Sequence, residues 1–402
     1  MSIIRDVTIK AKKYFDQDEI LLFIGARQAG KTTILKQLQK DLEEKKQIVH
    51  FLNLEDFDYL DLLNSSPKNL FKIFSFDLNK KNFVFIDEVQ YLKNPSNFLK
   101  YFYDEYKGKI KIIATGSSAF YLDKKFKDSL VGRKKIFNVF TLSLREFLRF
   151  KGEDSLAEAN FNSVSLSEKD KITFYYQEYI IYGGYPRVVL APLEDKADIL
   201  RDLAYSYIKK DVFESNIKQD EIFYKLLKIL SSQAGRLVNA NELADTLDVS
   251  KTTIDHYLYV MQKSFHIKFI NPFFKNVRKE LTKMPKVYFL DLGLRNFFVN
   301  NFKSFALRHD QGAFLENAVF RQFLEKYGAD EIKFWQTTQK NEIDFIIGEE
   351  KAVEVKVRPK QFREKNYKIF LKNYKNFEFF IATLEAKQDK VNSYKVVEAW
   401  RI

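Results

Sequence analysis

At 402 residues the chain has room for roughly two to four domains, and its 46% hydrophobic content suffices for packed cores. The absence of cysteine excludes disulfides and thiolate metal sites, and the four histidines are scattered without metal-ligand spacing. A formal net charge of +13 is compatible with a nucleic-acid partner, although a composition rich in Lys, Phe, Ile and Asn also follows from an AT-rich genome.

Residues 1–20 are charged and hold no signal-peptide core, and no apolar run is long enough to span a bilayer. A soluble cytoplasmic protein with no membrane partner is expected. The first strong signal follows. An apolar run at 20–24 reads as a buried strand, GARQAGKTT at 25–33 as a loop, and 33–38 as a helix. The loop fits G-x-x-x-x-G-K-[ST] in the strand–loop–helix setting that a phosphate-binding P-loop requires. Gly25, Gly30, Lys31 and Thr32 hold the fixed positions, with Ala26, Arg27, Gln28 and Ala29 between them and Thr33 after them. The backbone N–H groups and the helix N-terminus would cradle phosphate oxygens of ATP. Lys31 would reach the β- and γ-phosphates, and the Thr32 hydroxyl would hold Mg²⁺.

A strand at 48–52 ends in Asn53, a candidate partner for Glu88. The next apolar strand, 83–88, ends in Asp87-Glu88. Asp87 can hold the Mg²⁺ shell, and Glu88 can act as general base on the attacking water. The stretch 110–117 is a further strand with a polar end. Ser117, with Thr115 next, is the sensor candidate facing the γ-phosphate, although Ser and Thr also serve as ordinary strand-end caps. Arg133 precedes a strand at 135–140. Such an arginine can stabilise transition-state charge on a neighbouring copy's nucleotide, which implies self-association.

The blocks IGARQAGKTT, FVFIDEVQ, ATGSSA, LVGRKKIF, LSLREFL and YGGYPRVV, in this order, resemble the AAA+ ATPases. The branch is one found in archaea and many bacteria, whose members carry a C-terminal domain of unknown function. The resemblance implies a five-stranded parallel sheet with the P-loop after its first strand, followed by a helical lid at 168–220. Arg187, within GGYPR, is then the candidate second sensor.

From residue 221 the pattern changes. A helix at 221–232 precedes a capped helix, a short turn and a second cap at Ser250, which opens a helix at 251–263. Strand-like stretches at 267–272 and 286–290 flank a basic loop with Lys275, Arg278, Lys279 and Lys283. This is a winged-helix pattern. Lys251, Thr252, Thr253 and His256 would enter a DNA major groove while the wing meets phosphate. A winged helix used only as a protein-contact or spacer domain has the same pattern.

The C-terminal stretch has a helix at 312–327, strands at 332–336, 341–347 and 352–357, a helix near 362–372 and a strand at 377–382. Alternation places Glu342 with Asp344 on one face and Glu354 with Lys356 on another, and those faces can converge. Asp344 followed by Glu354-x-Lys356 resembles the PD-(D/E)XK nucleases, and Glu316 matches the acid their first helix often adds. The resemblance implies that Glu316, Asp344 and Glu354 bind Mg²⁺ or Mn²⁺ and that Lys356 is catalytic. Alternating Glu and Lys is also the ordinary pattern of a solvated strand pair.

The sequence therefore predicts a multidomain α/β protein. Its parts are an AAA+ P-loop core at 1–167, a helical lid at 168–220, a winged helix-turn-helix at 221–304 and a restriction-endonuclease-like domain at 305–402. The expected function is ATP binding and hydrolysis with DNA binding, and a metal-dependent nuclease-like domain that is either latent or active in cleavage. The alternative is a nucleotide-driven signalling or assembly switch whose nuclease-like domain is an inactive scaffold.

Overall fold

The computed structural model describes residues 3–116, 130–215, 217–274, 280, 283–337, 339, 341–386 and 388–402. The chain packs as two compact units: 1–141 with 210–216 and 259–265, and 142–209 with 217–258 and 266–402.

The first unit is built on five strands: β1 (Ile20–Gly25), β2 (Ile48–Asn53), β3 (Asn82–Asp87), β4 (Ile110–Gly116) and β5 (Lys134–Val139). They form one parallel sheet in the order β2-β3-β4-β1-β5. The three inner strands, β3, β4 and β1, are buried along their whole length, whereas the edge strands β2 and β5 are only partly so. That difference matches the sequence, because a strand covered on both faces reads as a near-continuous apolar run. The loop after β1 therefore opens at the C-terminal edge of the sheet, between β4 and β5, where ligands bind in open α/β sheets. The helix Lys31–Glu44 leaves that loop and packs Ile34, Leu35, Leu38 and Leu42 inward.

Two buried cations lock this unit. Lys111, inside β4, donates to Gln17 O at 2.8 Å and to Glu19 O, tying the entry of β1 to the sheet. Arg5 donates to Ala29 O at 2.7 Å and Phe140 O at 2.9 Å, bracing the P-loop against the end of β5.

In the second unit, the helices Leu144–Phe150 and Leu166–Tyr182 each begin with a complete capping box, from Ser143 with Glu146 and from Ser165 with Glu168. The glycine pair after Tyr182 is required by packing. A Cβ on Gly183, whose φ is +76°, would stand 2.2 Å from Asp291 Oδ1, and one on Gly184 would stand 2.5 Å from Leu142 O. Asp291 instead accepts from Gly184 N at 2.9 Å and from Leu294 N at 3.1 Å.

Helices Asp220–Ser232, Ala240–Leu247 and Lys251–Lys263 precede an antiparallel pair, β6 (Ile267–Ile270) and β7 (Lys286–Phe289). Asn239 and Ser250 supply the two caps expected at the turn, through Asn241 N at 3.1 Å and Thr253 N at 3.1 Å. Of the wing cations, Lys275, Arg278 and Lys279 lie outside the described residues. The remaining strands are β8 (Ile332–Gln336), β9 (Glu342–Ile347), β10 (Lys351–Val355), β11 (Glu378–Thr383), β12 (Lys390–Val391) and β13 (Tyr394–Glu398). They form a mixed sheet ordered β12-β13-β11-β10-β9-β8, with the helix Gln311–Tyr327 packed against β7 to β10. Among the described residues no helix is long and apolar enough to cross a membrane.

Candidate functional site

The P-loop has the backbone its sequence predicts. Gln28 and Gly30 take left-handed conformations, φ +52° and +98°, which turn successive N–H groups toward one concavity. Gly25 is fixed by close approach, because a Cβ there would meet Val139 O at 2.0 Å. Ala26 and Ala29 are buried under the loop, and Thr33 is exposed on the first helical turn. The Lys31 ammonium folds back on the loop, donating to Ala26 O at 2.8 Å and Gly25 O at 3.1 Å. Burial lowers Lys31 to about 8, and the nearby Glu88 carboxylate works against that shift.

β3 delivers its two acids to the same edge. Asp87 is 3% exposed, and its Oδ2 accepts from Thr32 Oγ1 at 2.7 Å. Its Oδ1 accepts from the Thr115 hydroxyl, whose oxygen in turn accepts from Glu88 N at 2.9 Å. Thr115 therefore joins both acids, and β4 brings it there because β4 lies beside β3 in parallel register. Glu88 sits at φ +60°, an unfavourable conformation for a side-chain-bearing residue of the kind stored at functional sites. Its carboxylate accepts from Gln90 Nε2. Thr32 and Asp87 together supply adjacent hard oxygen donors beside a phosphate cradle, a set that fits Mg²⁺.

Other expected residues fall elsewhere. Ser117 lies outside the described residues. Asn53 does not meet the Glu88 carboxylate; its Oδ1 accepts from Glu55 N at 3.0 Å. Arg27 turns toward the end of the helix Lys196–Glu214, pairing with Glu214 at 2.5 Å and Asp211 at 3.4 Å. Neither acid carries a sequence signal, since each is more than 180 positions away. Burial raises Glu214, and Arg27 opposes the shift. Arg133 pairs with Asp104 at 2.8 Å and precedes β5, whose first residue is level with Ile20. It thus sits at the opposite end of β1 from its own P-loop, roughly 20 Å away at strand rise. Arg187 is exposed on the helix Pro186–Leu190 of the second unit.

The C-terminal acids do converge. Glu316, Glu342 and Asp344 all face the Lys286 ammonium of β7, at 3.1, 2.5 and 3.9 Å. Tyr288 donates to Glu316 Oε1 at 2.5 Å. Asp344 Oδ2 accepts from Val355 N at 2.8 Å, and Lys356 donates to Glu354. Burial raises Glu354 to about 8, with Asp344 adding to it and Lys356 opposing. Burial likewise raises Glu316 to about 7 against the pull of Lys286. Burial alone would lower Lys286, but Glu316, Asp344 and Glu342 outweigh it and hold the ammonium well above its ordinary range. Lys286, Tyr288 and Glu342 were not among the expected site residues; the alternation that pairs Glu342 with Asp344 was the available signal. This arrangement does not fit a resident divalent metal. Glu354 is buried against Lys356 and Tyr367, and among the described residues no three acidic or histidine side chains are arranged, as they stand, to hold an ion. Ammonium groups already stand where the carboxylates converge.

Residues 17–148 match the AAA domain, 173–304 a domain of unknown function (DUF8612), and 311–402 a domain of unknown function (DUF4143). An uncharacterized protein of Methanocaldococcus jannaschii is 28% identical over 364 residues, covering 87% of this chain and 76% of that one. One of Haemophilus influenzae is 27% identical, covering 83% and 80%. Among solved structures, the ADP form of the Aeropyrum pernix ORC2 protein overlaps with a TM-score of 0.34 at 12% identity, covering 67% of this chain and 87% of that one. A replication initiator DnaA bound to AMPPCP and single-stranded DNA overlaps at 0.29 and 18%, covering 65% and 90%. Overlap at this level assigns neither fold nor activity. The match at 17–148 coincides with the P-loop, the Asp87-Glu88 pair and the parallel sheet that brings them together, so this stretch is similar to the AAA domain in sequence and in the layout of its site.

Proposed function

We propose that the chain binds and hydrolyses Mg²⁺·ATP at the P-loop. The observation that carries this reading is the continuous contact Thr32–Asp87–Thr115–Glu88, which links the cradle to a general base. Lys31 leaves the carbonyls of residues 25 and 26 and moves onto the β- and γ-phosphates. Thr32 and Asp87 would hold Mg²⁺, which would supply charge neutralisation on the phosphate oxygens. Glu88, positioned through its own N–H on Thr115 and its carboxylate on Gln90, takes the proton of the attacking water. Arg133 acts on the nucleotide of a second copy, since its own P-loop lies at the far end of β1. Phosphate release from ATP by purified protein tests the reading. Glu88→Gln should lower turnover by about 10²–10⁴ while ATP affinity changes little. Hydrolysis unaffected by that substitution would remove Glu88 from the mechanism.

The region 221–304 is proposed to hold DNA as a winged helix. Support comes from the three helices followed by an antiparallel pair, and from exposed Lys251, Thr252 and His256 at the start of the third helix. Lys251 pairs with Asp255 at 2.8 Å, so part of its charge is met within the helix. Fluorescence anisotropy with a labelled duplex should show weaker binding for Lys251→Ala combined with His256→Ala. Unchanged affinity would reassign this surface to protein contact.

For 305–402 the geometry favours an inactive scaffold over a nuclease, and so favours the nucleotide-driven switch. The carrying observation is the pairing of these acids with Lys286 and Lys356. Supercoiled plasmid should remain intact with Mg²⁺ or Mn²⁺, with and without ATP. Nicking that disappears in Lys356→Ala would restore the nuclease reading.

A further inference from the structure

Lys286 belongs neither to the P-loop machinery nor to the stretch 305–402 that carries the nuclease-like pattern. It opens β7 and is only 2% exposed. Few lysines are buried so deeply without dedicated partners, and its partners are three carboxylates. Glu316 comes from the helix Gln311–Tyr327, and Glu342 and Asp344 come from one face of β9.

The strand carrying Lys286 is bolted in place. Asn317 accepts from Phe289 N at 2.9 Å and donates to Phe289 O at 2.8 Å, while Arg321 donates to Leu290 O at 2.8 Å. All three bonds run from β7 or the residue after it to the helix that bears Glu316. Tyr288 adds a fourth link by donating to Glu316 itself. The ammonium is therefore held by a rigid mount rather than by a flexible surface arm.

Three carboxylates gathered around one point, Glu316 and Asp344 largely buried and Glu342 partly exposed, repel one another unless a cation joins them. A divalent ion would meet that need with oxygen ligands at about 2.0–2.6 Å. Here a lysine meets it, and an ion entering the same space would face a fixed positive charge. We propose that Lys286 is a built-in cation that occupies the acidic centre in place of a divalent metal. The centre is thus complete without metal, and it accepts one only when the lysine is taken away. This inference concerns the acidic centre alone and stands apart from ATP hydrolysis at the P-loop.

Mn²⁺ uptake by the full-length, metal-stripped, nucleotide-free protein tests it, read from the loss of the free-ion electron paramagnetic resonance signal. Wild type and Lys286→Arg should leave Mn²⁺ free. Lys286→Met should take up about one ion per chain, at least about tenfold tighter than wild type, and Mn²⁺ should raise its melting temperature but not that of wild type. Adding Asp344→Asn should abolish both effects. Because Lys286→Met leaves buried acids uncompensated, Lys286→Met with Glu342→Gln provides a variant with less repulsion and the same expected gain. Uptake by wild type that is lost in Asp344→Asn overturns the proposal. So does a folded lysine-free variant that binds no Mn²⁺.

Discussion

At the scale of single residues, the nucleotide site turns on Thr115. Its hydroxyl meets the Asp87 carboxylate and the backbone N–H of Glu88 at once. Thr115→Val keeps the shape but leaves both groups without that partner in a buried place, a loss of about 1–3 kcal/mol. Turnover of ATP should fall while nucleotide affinity, measured with a fluorescent ATP analogue, stays within a few-fold of wild type. Lys31→Ala should do the reverse first and weaken binding by roughly 10- to 100-fold, as loss of a charge-assisted contact implies. Equal effects of the two substitutions on binding would mean that Thr115 contacts nucleotide directly. Arg27 is a third case. It is paired with Asp211 and Glu214, so Arg27→Ala would strand two buried carboxylates and should destabilise the chain by about 3–5 kcal/mol in urea denaturation. A stability change under 1 kcal/mol, by about the threshold for an exposed pair, would show that these contacts are screened.

At the scale of elements, close approach explains residues that chemistry does not. Gly25 is the first glycine of the P-loop, yet its φ needs no glycine; the carbonyl of Val139 does. Gly25→Ala should force β1 and β5 apart at their C-terminal ends and destabilise the chain by about 1–3 kcal/mol or more. Circular dichroism melting checks this, and a melting temperature equal to wild type would mean that β5 yields freely. The same reasoning applies to Gly184, whose neighbour is Leu142 O. The GGYP segment is thus a packing element between Leu142 and Asp291, and Arg187 after it is exposed rather than aimed inward.

At the scale of the whole molecule, buried charges give the two units opposite responses to pH. Glu316 and Glu354 of the second unit are raised to about 7 and about 8 from an ordinary value of 4.5. Between pH 4.5 and 8 the folded protein holds protons that the unfolded chain has released, so rising pH favours unfolding. In the first unit, burial lowers Lys31 and Lys111 to about 8 from 10.5. Between pH 8 and 10.5 the unfolded chain binds the extra protons, so rising pH favours the folded state there. Urea denaturation followed from pH 5.5 to 9.5 should show stability falling to about pH 8. Glu354→Gln should flatten that fall, and Lys111→Met should remove part of the gain above it. A fall unaltered by Glu354→Gln would remove Glu354 as its origin.

Local signals determined much of this protein. The P-loop was legible because its glycine spacing, flanking strand and following helix are all local. The parallel sheet was legible because its inner strands are largely apolar runs, with Lys111 the buried exception inside β4. The helix pair around Ser250 was legible because caps are short-range devices, and Glu316, Asp344 and Glu354 could be grouped by strand alternation and by resemblance. Tertiary structure decided what each charged group meets. Arg27 met two acids from a helix far along the chain, Arg133 met Asp104 at the wrong end of its strand for the nearby P-loop, and Thr115 joined Asp87 because β3 and β4 are neighbours. Above all, β7 placed Lys286 beside Glu316 and Asp344, two carboxylates read from sequence as metal ligands. Periodicity reports which face a residue occupies, but the energy of a buried charge depends on every neighbour within a few ångströms, and those neighbours are set by chain packing.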